Sequence, residues 1–216
     1  MPIYMDRHDV SDTVTGEQIA QLHQQDLKVQ DQFGCRGITY WFDEKRKTAF
    51  CLIEAPGEKA LQDMHNHAHG EMANEIIEVD PSIVESFLGR IEDPVKAQNT
   101  ALNIINDPAF RTIMVIEFTT SSLKGHERAV MEMMFSQCKD AIYNMLLSCH
   151  GNLVRRGENY FLIFFASVSA AVKTALRVQS RFHQFGKDLS QRFTLKIGIS
   201  AGVPVNGKGG LFENAI

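Results

Sequence analysis

The sequence predicts an α+β protein built from two βαββαβ modules, each with an antiparallel sheet. Three observations carry this. Strand-length apolar runs and helix-length amphipathic runs follow the order strand, helix, strand, strand, helix, strand over residues 1–80, and the order returns from Arg111 onward. The middle runs of the first module, residues 37–43 and 48–54, are aromatic and aliphatic and flank the charged turn Glu44-Lys45-Arg46-Lys47, the mark of a hairpin. Between the modules, Pro81, Pro94 and Pro108 break any long element. The expected organisation is a domain over 1–80, a linker with a short helix over 81–110, and a second domain over 111–216.

Taken in order, residues 3–8 form the first strand. Thr15 is an N-cap for a helix that runs to Phe33, with Gly34 at its C-terminal end. The hairpin follows. Pro56-Gly57 opens a second helix ending near Gly70, and Glu75 to Val79 is the last strand, which completes the ferredoxin-like plan. A helical patch spans Ile83 to Ile91, and a polar stretch covers Lys96 to Asn103. The second module places strands at 112–118, 152–156, 159–166 and 193–200, with helices at 126–149 and 168–186. No internal sequence repeat is evident.

Composition narrows the function. The chain has 216 residues, 44% hydrophobic and 22% charged, which excludes a disordered or collagen-like protein. Lys plus Arg number 22 against 26 Asp plus Glu, so there is no basic footprint and nucleic acid is not an expected partner. No apolar run approaches the roughly 18 residues of a membrane span, and the N-terminus lacks a signal peptide. Four cysteines (Cys35, Cys51, Cys138, Cys149) form no CxxC, so free thiols in a cytoplasmic protein are expected.

Five of the eight histidines lie in residues 1–70. In Met64-His65-Asn66-His67-Ala68-His69-Gly70, helical geometry sets His65 and His69 one turn apart on one face, and His67 is rotated roughly 200° away. Such a pair chelates an ion or simply ends a solvated helix. Asp26 falls inside the apolar stripe Ile19, Leu22, Val29 and Phe33 of the first helix, where a carboxylate needs a charge, a metal or several donors. His23 sits one turn before it. On the first strand Tyr4, Asp6 and His8 alternate to one face, and Ile3 and Met5 to the other.

The segments Met-Pro-Ile-Tyr-Met-Asp-Arg-His at 1–8, His-Gln-Gln-Asp at 23–26, Tyr-Trp-Phe-Asp-Glu at 40–44, Phe-Cys-Leu-Ile-Glu-Ala-Pro at 50–56 and the His65…His69-Gly70 ending resemble a small bacterial nickel-binding domain family. The resemblance implies a ferredoxin-like fold that associates through its sheets, and a divalent metal site at His8, His23, Asp26, His65 and His69. Nickel follows from the family alone. A mixed nitrogen and oxygen ligand set also suits zinc or cobalt. Cys51 matches too, but between Phe50 and Leu52 it reads as a packed thiol.

From Arg111 the chain resembles the upstream part of class III nucleotidyl cyclases, through residues 112–120, the hairpin from His150 to Asn159, Phe165 onward, and Leu195-Lys-Ile-Gly-Ile-Ser-Ala-Gly. Leu211-Phe212-Glu213-Asn214 begins the family's next motif. The resemblance implies a two-metal site of aspartates, but Glu117 and Glu158 stand at those positions, each one methylene longer. The Asn and Arg that steady the transition state fall beyond Ile216, so an inactive cyclase-like domain is expected. Mg²⁺ or Mn²⁺ is a cofactor only if that domain acts.

The resulting expectation is a metal-binding regulatory protein, a homodimer by resemblance, with nucleotide as a further candidate partner. Two alternatives stand beside it. One is a weak nucleotidyl cyclase acting on ATP or GTP. The other is a metal-free module whose sheet groove near Tyr40 and Trp41 takes a small apolar ligand.

Overall fold

The computed structural model describes residues 1–96, 102–120, 127–186, 192–207 and 209–212. Two compact units emerge, one from Met1–Phe110 with Val203–Ile216 and one from Arg111–Gly202.

In the first unit β1 (Ile3–Asp9) leads into α1 (Gly16–Val29). Thr15 caps α1 in a full capping box: its hydroxyl accepts from the Gln18 N–H, and Gln18 Oε1 accepts from the Thr15 N–H. The α-helix stops at Val29, short of the expected Phe33, because Gln30–Phe33 tighten into a 3-10 turn that Gly34 closes at φ 62°. The hairpin β2 (Arg36–Asp43) and β3 (Thr48–Glu54), then α2 (Glu58–Ala68) and β4 (Glu75–Val79), complete the module. All neighbouring strands are antiparallel, in the order β2-β3-β1-β4.

Alternation along the strands sorts the sheet into two faces. Tyr40, Phe42, Ala49, Cys51 and Ile53 join Ile19 and Ala20 of α1 and Leu61 and Met64 of α2 in one core. On the opposite face Met5, Trp41, Phe50 and Leu52 are almost entirely buried as well. The chain itself covers that face. α3 (Pro81–Leu88) follows β4, and beyond it the Arg90 guanidinium sits 4.3 Å above the Trp41 ring and donates to Thr39 Oγ1 and the Tyr40 carbonyl. Residues Val203–Phe212 return to the same unit: Arg7 donates to the Val205 carbonyl, the Gly207 N–H donates to Glu75, and Phe212 packs edge-on against Phe87.

The residues expected to be a linker are therefore built into the first unit. The Phe42 N–H donates to the Asp107 carbonyl, and Tyr40 Oη donates to the Asn103 carbonyl and accepts from the Ile105 N–H. This corrects the apolar-groove expectation, since Tyr40 and Trp41 have no exposed surface. The polar stretch expected near Lys96 to Asn103 falls mostly outside the described residues.

The second unit repeats the plan. β5 (Arg111–Thr120), α4 (Glu127–Leu146), β6 (Gly151–Arg156), β7 (Tyr160–Phe165), α5 (Val168–His183) and β8 (Phe193–Gly202) form a sheet ordered β6-β7-β5-β8. Position for position this is the strand order of the first unit, so both are ferredoxin-like and the α+β expectation holds. α4 and α5 bury Cys138, Ile142, Ala171 and Val178 against Met114, Ile116, Phe161 and Ile163. Of the helix methionines, Met131, Met134 and Met145 pack on this core and Met133 is exposed. His126, the expected first residue of α4, lies outside the described residues, as do Lys208, Glu213 and Asn214.

Candidate metal centre

Three elements of the first unit converge on His65. The buried stripe of α2 is Leu61, Met64 and His65, and that of α1 is Ile19, Ala20, His23 and Asp26. β1 turns Asp6 and His8 toward the same helices. Gly37 on β2 lets α1 come close, since a Cβ there would stand 2.9 Å from Leu27 and 3.5 Å from His23.

The result is a chain of polar side chains. His65 Nε2 lies 2.8 Å from Asp6 Oδ2, and His65 Nδ1 lies 3.0 Å from Asp26 Oδ1. His8 Nε2 approaches Asp6 Oδ1 at 3.4 Å, and His69 Nε2 approaches Asp26 Oδ1 at 3.2 Å. The Cys51 N–H donates to Asp6 Oδ1. The Glu71 N–H donates to His69 Nδ1, so the ring proton of His69 resides on Nε2, facing Asp26.

An ionised carboxylate only accepts, so a ring held between two of them carries both protons. Burial alone would lower the His65 pKa, but the bonds from Asp26 and Asp6 outweigh it and raise it to about 10. Burial would raise Asp6, yet the charge of His8 and the bond from His65 hold its carboxyl well below the usual range. Against the same burial penalty, the bonds from His65 and His69 hold Asp26 down. Burial pushes His23 toward its neutral form and the Cys51 thiol strongly upward.

His8, His23, Asp26, Cys51, His65 and His69 floor a cavity of about 190 Å³, with walls that include Val10, Val14, Ile19, Leu22 and Met72. Two donor groups form here: Asp26, His65 and His69, which line the cavity, and beside them Asp6, His8 and Cys51. Within each group the ligand atoms lie within 4.8 Å of one another. Carboxylate and imidazole donors at that spacing fit a divalent ion with metal–ligand distances near 2.0–2.2 Å.

Of the five residues expected from the sequence, His65, His69 and Asp26 share one group and His8 belongs to the other. His23 lines the cavity but joins neither group. His67 turns away and packs on Phe33. Asp6, which the strand alternation placed beside His8, was absent from the expected ligand set. It is the carboxylate that ties β1 to α2.

Residues 4–79 match the profile of the family described as "Nickel responsive protein SCO4226-like". The crystal structure of SCO4226 from Streptomyces coelicolor A3(2) is 36% identical, covering 36% of this chain and 94% of that one, with a TM-score of 0.34. The chain belongs to the SCO4226-like family. That membership rests on the first unit, where every residue of the two donor groups falls within the matched span.

Cyclase structures bring further likenesses. An adenylate/guanylate cyclase/hydrolase from Silicibacter pomeroyi is 22% identical over 49% of this chain, with a TM-score of 0.36, and the chain spans 64% of that enzyme's length. A bacterial light-regulated adenylyl cyclase is 14% identical over 93% of this chain and 72% of that one, with a TM-score of 0.30. No match is found among curated proteins.

The two expected cyclase metal positions are open to solvent. Glu117 is about half exposed and lies 3.8 Å from Lys196, while Glu158 sits in the exposed β6–β7 turn, where its carbonyl accepts from Lys139. Among the described residues neither belongs to a group of three metal-capable side chains. The four cysteines are free, and no described helix is long and apolar enough to cross a membrane.

Proposed function

We propose that the first unit binds a divalent metal ion through Asp26, His65 and His69, that nickel is the ion, and that the chain acts as a metal-responsive regulator. The observation that carries this is the buried Asp26–His65–His69 group, whose donors lie within 4.8 Å of one another in a member of a nickel-responsive family. Asp6, His8 and Cys51 form a separate group beside it. To ligate, His65 must exchange the Asp26 contact of its Nδ1, or the Asp6 contact of its Nε2, for the ion. The carboxylate that remains bonded then orients the ring.

In this reading the second unit is a cyclase-like module without cyclisation activity. Exposed glutamates beside a lysine support it, because two-metal phosphate chemistry needs carboxylates fixed on both ions.

The test is metal content by mass spectrometry of untagged protein, followed by titration with Ni²⁺, Zn²⁺ and Co²⁺, with the His65→Ala/His69→Ala double variant alongside. Stoichiometric nickel bound more tightly than zinc or cobalt, and lost in the variant, is the expected result. Binding that survives in the variant overturns the assignment of the group, and preference for zinc or cobalt overturns nickel.

A further inference from the structure

His23 is only 5% exposed and packs on Tyr40 with ring centroids 5.0 Å apart, yet its ring nitrogens make no hydrogen bond to the described residues. Its nitrogens are not sealed in protein. The buried side-chain polar atoms that lack both a partner and open surface are Trp41 Nε1 and Thr48 Oγ1 among the described residues. His23 lines the cavity together with Asp26, His65 and His69 but belongs to neither donor group. A buried imidazole facing open space has an unmet hydrogen-bonding demand.

The space it faces has a mixed character. Its floor is polar, and its walls include Val10, Val14, Ile19 and Leu22. Three protein donors leave positions free on an ion that takes four to six ligands. The cavity of about 190 Å³ has room for on the order of six waters, or one small molecule.

We propose that this cavity takes a short-chain aliphatic carboxylate as co-ligand. One carboxylate oxygen completes the coordination of the ion, the other accepts from the His23 ring N–H, and the alkyl tail lies against Val10, Val14, Ile19 and Leu22. This rests on the metal reading above and adds a substrate-sized ligand to it: the response is to an ion and an acid together.

The test uses isovalerate, a branched five-carbon acid, titrated calorimetrically into nickel-loaded and metal-free protein after a separate nickel titration of each variant. Nickel-loaded protein is expected to bind isovalerate at least about tenfold more tightly than metal-free protein or the His23→Leu variant. His23→Leu keeps its nickel, as does Val14→Phe, which adds bulk at the apolar wall, removes no donor and also loses the acid. Nickel binding with no isovalerate binding overturns the proposal and leaves the metal reading standing. Equal isovalerate affinity in His23→Leu overturns it as well. Failure of the nickel titration itself removes both.

Discussion

His65 and Asp6 form an ion pair, 2.8 Å from Nε2 to Oδ2, with neither side chain more than 1% exposed. The pair joins α2 to β1 across 59 residues of sequence. In a site this dry a charge is tolerated only while its partner remains. The Asp6→Ala variant is therefore expected to lose about 3–5 kcal/mol in urea unfolding of the metal-free protein near neutral pH. Asp9→Ala, on the same strand but exposed, should stay within about 0.5 kcal/mol of the parent. A cost below about 1 kcal/mol for Asp6→Ala would show that the pair contributes little to the fold.

The same contacts set a pH optimum for the metal-free protein. His65 is raised from 6.5 to about 10, so its contribution is complete below pH 6.5 and drains away as pH rises toward 10. Asp6 and Asp26 are lowered from 3.8, so theirs is complete above that value and is lost as pH falls below it. His23, lowered from 6.5 by burial, works in the opposite sense to His65: its contribution is present above 6.5 and is lost on acidification. The urea midpoint should fall steadily between about pH 6.5 and 9 and fall again below about pH 4. A midpoint that climbs from pH 6.5 to 9 would contradict an imidazolium at His65.

Much of the fold was legible because its signals are local. The Thr15 cap, the Gly34 stop and the charged hairpin turn each fix an element within a few residues. The helical wheel likewise separated His67 from His65 and His69. The residues that close the centre were harder to read. Asp6 carries only a strand alternation, and its partner is fixed by tertiary packing. His23 lies on the stripe of α1 as Asp26 does, but no spacing rule tells a ligand from a cavity-facing ring. Val205 and Phe212 were illegible for another reason: they sit among Pro204, Gly207 and Gly210, with no period to mark them as core, and are buried by tertiary contacts, Arg7 and Glu75 holding the returning chain and Phe87 meeting Phe212. The segment after Gly89 is held by Arg90, Asp93 and Asn103, whose polarity suggests a solvated linker.

The second unit gives a separate prediction. Incubated with ATP or GTP and Mg²⁺ or Mn²⁺, the protein is expected to form no cyclic nucleotide detectable by mass spectrometry. Glu117 faces Lys196 at 3.8 Å, and Glu117→Ala should leave stability within about 0.5 kcal/mol, as for an exposed side chain. Cyclic product that disappears in Glu117→Ala would establish the opposite, a working metal carboxylate.

The last prediction concerns the sheet face opposite α1 and α2. Met5, Trp41, Phe50 and Leu52 form an apolar patch buried by the chain itself, with Arg90 over Trp41 and Arg7 of the same strand as Met5 bonded to the returning segment at Val205. Phe212 is 1% exposed and packs on Phe87, with ring centroids 5.4 Å apart. Phe212→Ala should cost about 3–5 kcal/mol if the first unit unfolds as one body. Phe212→Asp places a charge in the same apolar contact and should release the segment. Released, the uncovered patch would seek other apolar surface. Sedimentation velocity should then show the variant moving to higher mass with concentration while the parent does not. A parent that already associates, with an affinity indifferent to Phe212→Asp, would mean that its contacts between copies lie elsewhere, on the helices or on the second unit.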